Sequence, residues 1–256
     1  METRPSMTVF SHLPRLIRLQ KSRSMLAGRA LDLARSAVAT FWSAQRRRAA
    51  VKYLLNRVRF DTTDWIRVVM YEECFRFVQS LGPEQLDVLE ISAGPQWRRR
   101  FSFGSFTETQ FPAFDVCAQQ IDRQFDLIIA DQIFEHLPWP NRAGRNVFAM
   151  LRPGGWFVIA TPFLVRVHNV PIDCYRWTEQ GLSYLLQDCG FAEPDIRTGS
   201  WGNRACVRAN FRKWRTYGWY RSLANEPDFP AVVWAFARKN ERVAVSERPQ
   251  DELSVS

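Results

Sequence analysis

Two histidines follow short apolar runs of the sequence closely enough to share one site. His136 comes directly after Glu135, shortly beyond the run Phe125–Ala130, and His168 follows the run Trp156–Ala160. A neutral imidazole accepts the proton of a hydroxyl or amine nucleophile when its pKa lies near the working pH. The alternative for each histidine is a positioning role, in which the ring hydrogen-bonds its own loop. We predict His136 and His168 as candidate catalytic residues.

The same runs predict the elements that position these histidines. Neither Phe125–Ala130 nor Trp156–Ala160 alternates between apolar and polar residues, which is typical of strands buried on both faces. A loop, a helical segment and a Gly-Gly turn separate them, so they form one βαβ unit, and Leu86–Ser92 predicts a further strand. We therefore predict a doubly wound α/β sheet. Ligands of such sheets bind at the carboxyl ends of the strands, which places Asp131 and Thr161 onward at the site.

The end of the first predicted strand combines an acid with small residues. Glu90 is followed by Ser92, Ala93 and Gly94. Small residues allow a sharp turn and let a ligand approach the backbone, whose exposed amides can then hydrogen-bond that ligand. The alternative is a plain turn, because a single glycine after a strand is a weak signal.

Five segments in this order resemble the class I S-adenosylmethionine-dependent methyltransferases, in particular the short bacterial small-molecule type (methyltransferase type 11-like). The resemblance runs from about Asp87 to Phe191, with a family-like final strand near Ala231–Ala237. The segments are VLEISAG, FPAFDVC, FDLIIADQIFEHL, MLRPGGWFVIATPF and HNVPIDCYRWTEQGLSYLL. This resemblance implies a mostly parallel, seven-stranded Rossmann-like sheet, S-adenosylmethionine as cofactor and methyl transfer as the activity.

The resemblance also implies a set of cofactor contacts. They are Glu90, Ser92, Ala93, Gly94, Glu108, Asp115, Val116, Asp131 and Gln132. Glu108 takes the place of the acid that accepts from the ribose hydroxyls, and Asp115 that of the acid near the adenine amino group at the end of the third strand. The family usually writes its first loop G-x-G-x-G, and only the middle glycine, Gly94, is present. The helix after this loop is predicted to be reduced to a turn or two.

A polar loop after His168 resembles the segment that many short methyltransferases place over the acceptor pocket. It contains Asp173, Tyr175 and Arg176, and Thr178 is the predicted N-cap of the next helix. Polar loop residues at a ligand-binding edge are candidates for substrate contact. The alternative is that Asp173 and Arg176 pair with each other and hold the loop.

Composition excludes several classes of protein. Five cysteines form an odd set without a C-x-x-C pair, so neither a disulfide framework nor a zinc site is predicted, and we expect no metal. No uncharged apolar run approaches the ~20 residues that span a bilayer, and the first thirty residues lack a signal-peptide core. We therefore expect a cytoplasmic protein, with contact at the inner membrane face as one option.

The basic charge of the chain lies in an N-terminal arm. Residues 1–60 hold thirteen Lys or Arg against two acids, a net charge of +11. Apolar residues recur there at helical spacing, which indicates basic amphipathic helices. Such an arm can cap the sheet, lie on an anionic membrane surface or, least favoured, contact nucleic acid. Residues 61–238 are the predicted methyltransferase domain, and residues 239–256 have the composition of a disordered tail.

A second basic cluster is predicted as a cap inserted between the last two strands, at residues 201–230. Arginines, among them Arg208 and Arg212, alternate there with tryptophans and tyrosines. Guanidinium groups beside aromatic rings suit an anionic acceptor, and the alternative is a solvated face. We predict methyl transfer to an oxygen or nitrogen of a small, anionic or sugar-like acceptor. The alternative function is a non-catalytic methyltransferase-like interaction module, at a membrane surface or in a biosynthetic complex.

Overall fold

The computed structural model describes residues 63–240. The N-terminal arm and the tail therefore lie outside the described residues, together with the expectations of membrane contact and disorder made for them. The strands are β1 (Asp87–Glu90), β2 (Ser105–Glu108), β3 (Phe125–Asp131), β4 (Leu151–Pro162), β5 (Ile196–Trp201) and β6 (Val232–Arg238). The helices are α1 (Val68–Ser80), α2 (Pro95–Arg100), α3 (Pro140–Met150), α4 (Glu179–Asp188) and α5 (Arg204–Asn210).

The strands form one sheet in the order β2-β1-β3-β4-β6-β5. β2, β1, β3 and β4 are parallel neighbours, and β6 lies antiparallel between β4 and β5. The α/β, mostly parallel architecture predicted from the apolar runs is confirmed. Because β1, β2, β3 and β4 point the same way, their carboxyl ends meet along one edge of the sheet.

Helices cover both faces of this sheet. Alternate residues of β4 point to opposite sides: Phe157 packs towards α3 and α4, and Val158 towards α1. The same division holds in β3, where Ile128 and Leu127 are both fully buried on opposite faces. The non-alternating apolar sequence of these strands follows from this double burial.

The predicted seventh strand is absent from the described residues, and that expectation was wrong. The segment around Asp115 is irregular, and its backbone groups bond locally: Asp115 Oδ1 accepts from Cys117 N at 2.9 Å, and Asp115 N donates to Gln119 Oε1 at 2.8 Å. Pro112 also lacks the N–H that a ladder needs. Local side-chain hydrogen bonds of this kind compete with strand pairing.

The helix boundaries were predicted with mixed success. Thr178 caps α4 as predicted, its hydroxyl accepting from Gly181 N at 3.1 Å, and α2 is as short as expected. α1 begins at Val68, five residues after Thr63. Thr63 O accepts from Tyr217 N at 2.8 Å, so the backbone there pairs with a distant segment instead of starting a helix.

That distant segment is the insertion, defined here as residues 202–231 between β5 and β6. Its helix α5 is capped by Asn203, whose Oδ1 accepts from Cys206 N at 2.8 Å. The insertion is also fixed to the start of the described chain, because Trp65 N donates to Arg215 O at 2.7 Å. In residues 63–240 no helix has the length and apolar character needed to cross a membrane.

Candidate active site

The turn after β1 satisfies its own amides. Gly94 N donates to Glu90 Oε1 at 3.0 Å, Ser92 N to Thr109 Oγ1 at 3.3 Å, and Ala93 N to Thr109 O at 3.0 Å. The expectation that these amides are exposed to a ligand is therefore wrong. Thr109, just beyond β2, accepts from two of the three amides that were expected to bind the ligand.

The same turn does offer space and an unpaired acid. A Cβ added to Gly94 would meet no atom nearer than Glu90 Oε1, at 4.0 Å. Glu90 is buried, and its Oε2 has no hydrogen-bond partner among residues 63–240. Burial raises the pKa of Glu90 to about 7, against the opposing hydrogen bond from Gly94, and Asp131 and Glu108 raise it further.

Acids end three adjacent strands. Glu90 and Glu108 are paired residues at the ends of β1 and β2, and Asp131 ends β3. Glu108 is exposed, with Oε2 3.4 Å from Arg98 Nη1. Asp131 Oδ2 accepts from Tyr71 of α1 at 2.7 Å, whereas its buried Oδ1 has no hydrogen-bond partner in the described chain. The edge is therefore electronegative and suited to a cationic ligand.

Two residues at this edge have left-handed backbone. Ser92 has φ 52° and Gln132 has φ 60°, a conformation in which non-glycine residues are strained. Gln132 is buried, its N donates to Ala160 O at 2.8 Å, and its side chain lies against Met70. The left-handed residues turn the chain sharply where β1 and β3 end.

Asp115 and Val116 lie in the irregular segment beyond β2. Val116 is a core residue, and its carbonyl accepts from Asn146 of α3 at 2.8 Å. Asp115 is half-buried, and one of its oxygens already holds the Cys117 amide. An adenine contact by Asp115 remains a prediction.

The structure brings the two predicted histidines together. The ring centroids of His136 and His168 are 5.0 Å apart in an edge-to-face arrangement. His168 also lies edge-to-face with Trp214 of the insertion, at 5.3 Å, and Arg166 covers the Trp214 ring at 4.5 Å. Burial lowers the pKa of His168, which favours its neutral form. Trp214 was not predicted as a site residue.

The loop after His168 is held by an ion pair. Arg176 donates to both oxygens of Asp173, at 2.7 Å to Oδ2, and this hydrogen bonding lowers the pKa of Asp173 to about 2. Asp173 Oδ2 also accepts from His168 N at 2.7 Å. Of the two roles considered for Asp173 and Arg176, the structure contains the loop-holding one. Tyr175 is partly exposed and stacks on Trp177 at 5.2 Å.

Arg208 and Arg212 lie on the exposed surface of the insertion, and neither forms an ion pair within residues 63–240. The neighbouring Arg204 differs, because its Nε is 2.6 Å from Glu226 Oε2. The arginines of the insertion are therefore not equivalent, and Arg208 and Arg212 are the ones open to a further ligand.

Sequence reasoning missed Tyr71 and Thr109, and it treated Glu135 only as a neighbour of His136. Glu135 is fully buried, and burial raises its pKa to about 8, with Asp131 raising it and Arg67 lowering it. An acid next to a histidine just beyond a strand was a usable signal for Glu135. Tyr71 and Thr109 gave none, because their contacts are made across the fold.

Part of the chain matches a known protein family. Residues 84–159 match the family model described as a methyltransferase domain, which covers less than half of the chain. Among curated proteins, none matches. The matched segment contains β1, β2, β3 and most of β4, and hence the acids and Gly94 described above.

Solved methyltransferases align with the chain at low identity. An S-adenosylmethionine-dependent methyltransferase of Mesorhizobium loti is 16% identical (TM-score 0.47, 68% of this chain and 99% of that one). One from Clostridium acetobutylicum is 10% identical (TM-score 0.45, 77% and 99%). Phosphoethanolamine N-methyltransferase 2 of Haemonchus contortus, in complex with phosphomonomethylethanolamine and S-adenosylhomocysteine, is 12% identical (TM-score 0.45, 67% and 53%).

The match identifies residues 84–159 as a methyltransferase domain, and methyl transfer is the activity that it supports. A non-catalytic role is not favoured. S-adenosylmethionine carries a sulfonium and an ammonium group, and the residues present fit it: the open space at Gly94 can admit it, and the unpaired oxygens of Glu90 and Asp131 can face its positive charges. These residues would hold the cofactor, which supplies an electrophilic methyl group when bound.

We expect Gly94→Val to weaken cofactor binding without unfolding the protein. The new side chain extends into space that the chain leaves open, so it meets the ligand and not the fold. Affinity for S-adenosylmethionine, measured by isothermal titration, should fall at least tenfold, about 1.4 kcal/mol. Circular dichroism and thermal unfolding of Gly94→Val check that the fold is kept, as expected for a residue with an ordinary φ of −109°. Unchanged affinity in folded Gly94→Val would remove the turn from the cofactor site.

The raised pKa of Glu90 predicts a pH-dependent cost to stability. The folded state favours the protonated acid. The stability that protonated Glu90 contributes is therefore fully present below the ordinary pKa of 4.5, and it is lost as pH rises through about 7. Glu90→Gln keeps an oxygen for the Gly94 amide but cannot ionise. In urea unfolding without cofactor, the variant should exceed the wild type in stability by about 1–3 kcal/mol at pH 8. The difference should shrink towards pH 4.5; a constant difference would show that Glu90 does not titrate there.

Proposed function

We propose that this methyltransferase acts on an oxygen or nitrogen of a small acceptor held beside the His136–His168 pair. The observation that carries the proposal is the contact of both imidazoles with each other and of His168 with Trp214. In this proposal the imidazoles are the proton acceptor and Trp214 is an aromatic wall, beside the edge that also bears the acids. Such a site orients an acceptor while excluding part of the water around it.

The chain's own groups have clear tasks in this reaction. The bound cofactor would supply an electrophilic methyl group and keep its sulfur as a neutral thioether, and the acceptor would have to lose one proton. A neutral imidazole takes that proton from a hydroxyl or amine. Burial keeps His168 neutral, and the Asp173–Arg176 pair holds its loop in place. The larger part of the rate comes from alignment, since this displacement needs little else.

An anionic or sugar-like acceptor is the finer part of the proposal. Arg208 and Arg212 support it, because they are exposed and unpaired on the insertion that supplies Trp214. Guanidinium groups bind phosphate and carboxylate through paired hydrogen bonds, and aromatic rings stack on sugar or heterocyclic faces. The same reasoning does not apply to Arg204, which Glu226 already engages.

The acceptor proposal is tested by transfer of labelled methyl groups. Wild-type protein with labelled S-adenosylmethionine should modify a small molecule in anionic or sugar fractions of a metabolite extract. Arg208→Gln combined with Arg212→Gln should leave cofactor affinity unchanged and raise KM for that acceptor several-fold, about 1 kcal/mol, because the arginines are exposed. Arg145→Gln, an exposed arginine on α3, is the matched control. Unchanged KM in the double variant would exclude these arginines from acceptor binding.

Peripheral membrane contact is proposed for residues 1–60. Its support is the net charge of +11, which anionic headgroups attract. Full-length protein should co-sediment with phosphatidylserine vesicles and dissociate as salt rises, whereas a chain beginning at Asp61 should stay folded and in the supernatant. A folded, shortened chain that still sediments would contradict the proposal, and a shortened chain that unfolds would show that the arm stabilises the sheet.

A further inference from the structure

Glu135 is a buried acid whose carboxylate lacks a hydrogen-bond partner in the described residues. The residue is fully buried, and neither carboxylate oxygen has a hydrogen-bond partner among residues 63–240. Its backbone carbonyl accepts from Cys174 N at 2.8 Å, and the charges of Arg67 and Arg176 act on its carboxylate. Buried carboxylates are normally hydrogen-bonded, paired with a cation or bound to a metal. The methyl-transfer role proposed above gives this side chain no task.

The adjacent histidines have their Nδ1 atoms fixed by carbonyl oxygens. His136 Nδ1 contacts Ile172 O, and His168 Nδ1 lies 3.3 Å from Arg166 O. A carbonyl oxygen only accepts, so each Nδ1 carries the proton and each Nε2 keeps a lone pair. Arg176 also approaches His168 Nδ1, at 3.5 Å, but its donors are taken up by Asp173. This orientation of the ring, with the far nitrogen held by a backbone carbonyl, is typical of metal-ligating histidines.

The three side chains converge. One ligand atom each from Glu135, His136 and His168 lies within 4.8 Å of the others, and Glu135 Oε1 is already 3.5 Å from His136 Nε2. Ligands of a tetrahedral zinc ion, at about 2.1 Å from the metal, are about 3.4 Å from one another. The widest separation would therefore have to close by about 1.4 Å when the ion binds.

We propose that Glu135, His136 and His168 bind one divalent transition metal ion, of the zinc class. Two imidazoles and one carboxylate are the ligand set of three-ligand zinc sites, in which a fourth position stays open to water or substrate. The spacing of the cysteines excludes the common structural zinc motifs. It gives no information about a site whose ligands come from the loops after two different strands.

The metal changes how the proposed function works but is not required by it. With the Nε2 lone pairs occupied, an acceptor hydroxyl bound at the open position would lose its proton to solvent more readily, since a bound divalent metal lowers the pKa of its oxygen ligands. Binding of the ion is tested without turnover. Failure of the binding test would leave the imidazoles as bases, and failure of methyl transfer would leave the metal site intact.

Binding is measured on untagged, full-length protein treated with chelator. Zinc chloride is titrated by calorimetry, and cobalt(II) by its visible absorption. We expect one ion per chain and a tetrahedral or five-coordinate cobalt spectrum without thiolate charge-transfer bands. Glu135→Gln and His168→Asn should each weaken zinc binding at least tenfold. His12→Asn, which removes the third histidine of the chain, should bind as the wild type does.

Controls distinguish the loss of a zinc ligand from unfolding of the variant and from zinc binding by a cysteine. Circular dichroism and thermal unfolding of the chelator-treated variants must show native structure, and Glu135→Gln, being isosteric, is the variant expected to keep it. Cys174→Ser tests the exposed thiol near this loop. The proposal is overturned if the wild type binds no zinc, if folded Glu135→Gln binds it unchanged, or if Cys174→Ser abolishes binding.

Discussion

Glu90 and Glu135 are two carboxyl groups held out of water at the carboxyl edge of the sheet, each with at least one oxygen lacking a hydrogen bond in the described residues. Burying a carboxyl group without full compensation costs free energy, and the raised pKa values of both groups record that cost. The surrounding structure sustains it through the apolar packing of both sheet faces. A cation bound beside either group would favour its ionised form and offset part of that cost.

The turn after β1 is ordered without a full glycine motif. In a G-x-G-x-G loop, glycines bring free amides to the ligand. Here Thr109 and Glu90 take those amides, and Ser92 adopts a left-handed conformation. The loop is fixed by hydrogen bonds from its neighbours, and what remains for the cofactor is space at Gly94 and negative charge.

The sequence predicted the sheet well where apolar runs are long and buried on both faces, as at Phe125–Ala130. The prediction of a strand ending at Asp115 failed. The Asp115 side chain hydrogen-bonds the backbone two residues further on, and the apolar pattern does not reveal such a bond. The histidine pair was predictable, since both residues follow strands that end at one edge. The contacts of Tyr71, Thr109 and Trp214 were not, because each reaches across at least seventeen residues of chain. Long-range pairing of this kind depends on packing and not on local pattern.

In the proposed acceptor site, Trp214 is a wall that does not belong to the sheet. The insertion that carries it begins after β5 and ends before β6, so its length and composition can change while the ladder between those strands stays in register. Selection for a new acceptor can therefore act on this segment alone. Divergence within such a lineage should concentrate between residues 202 and 231, with the cofactor edge as its fixed background.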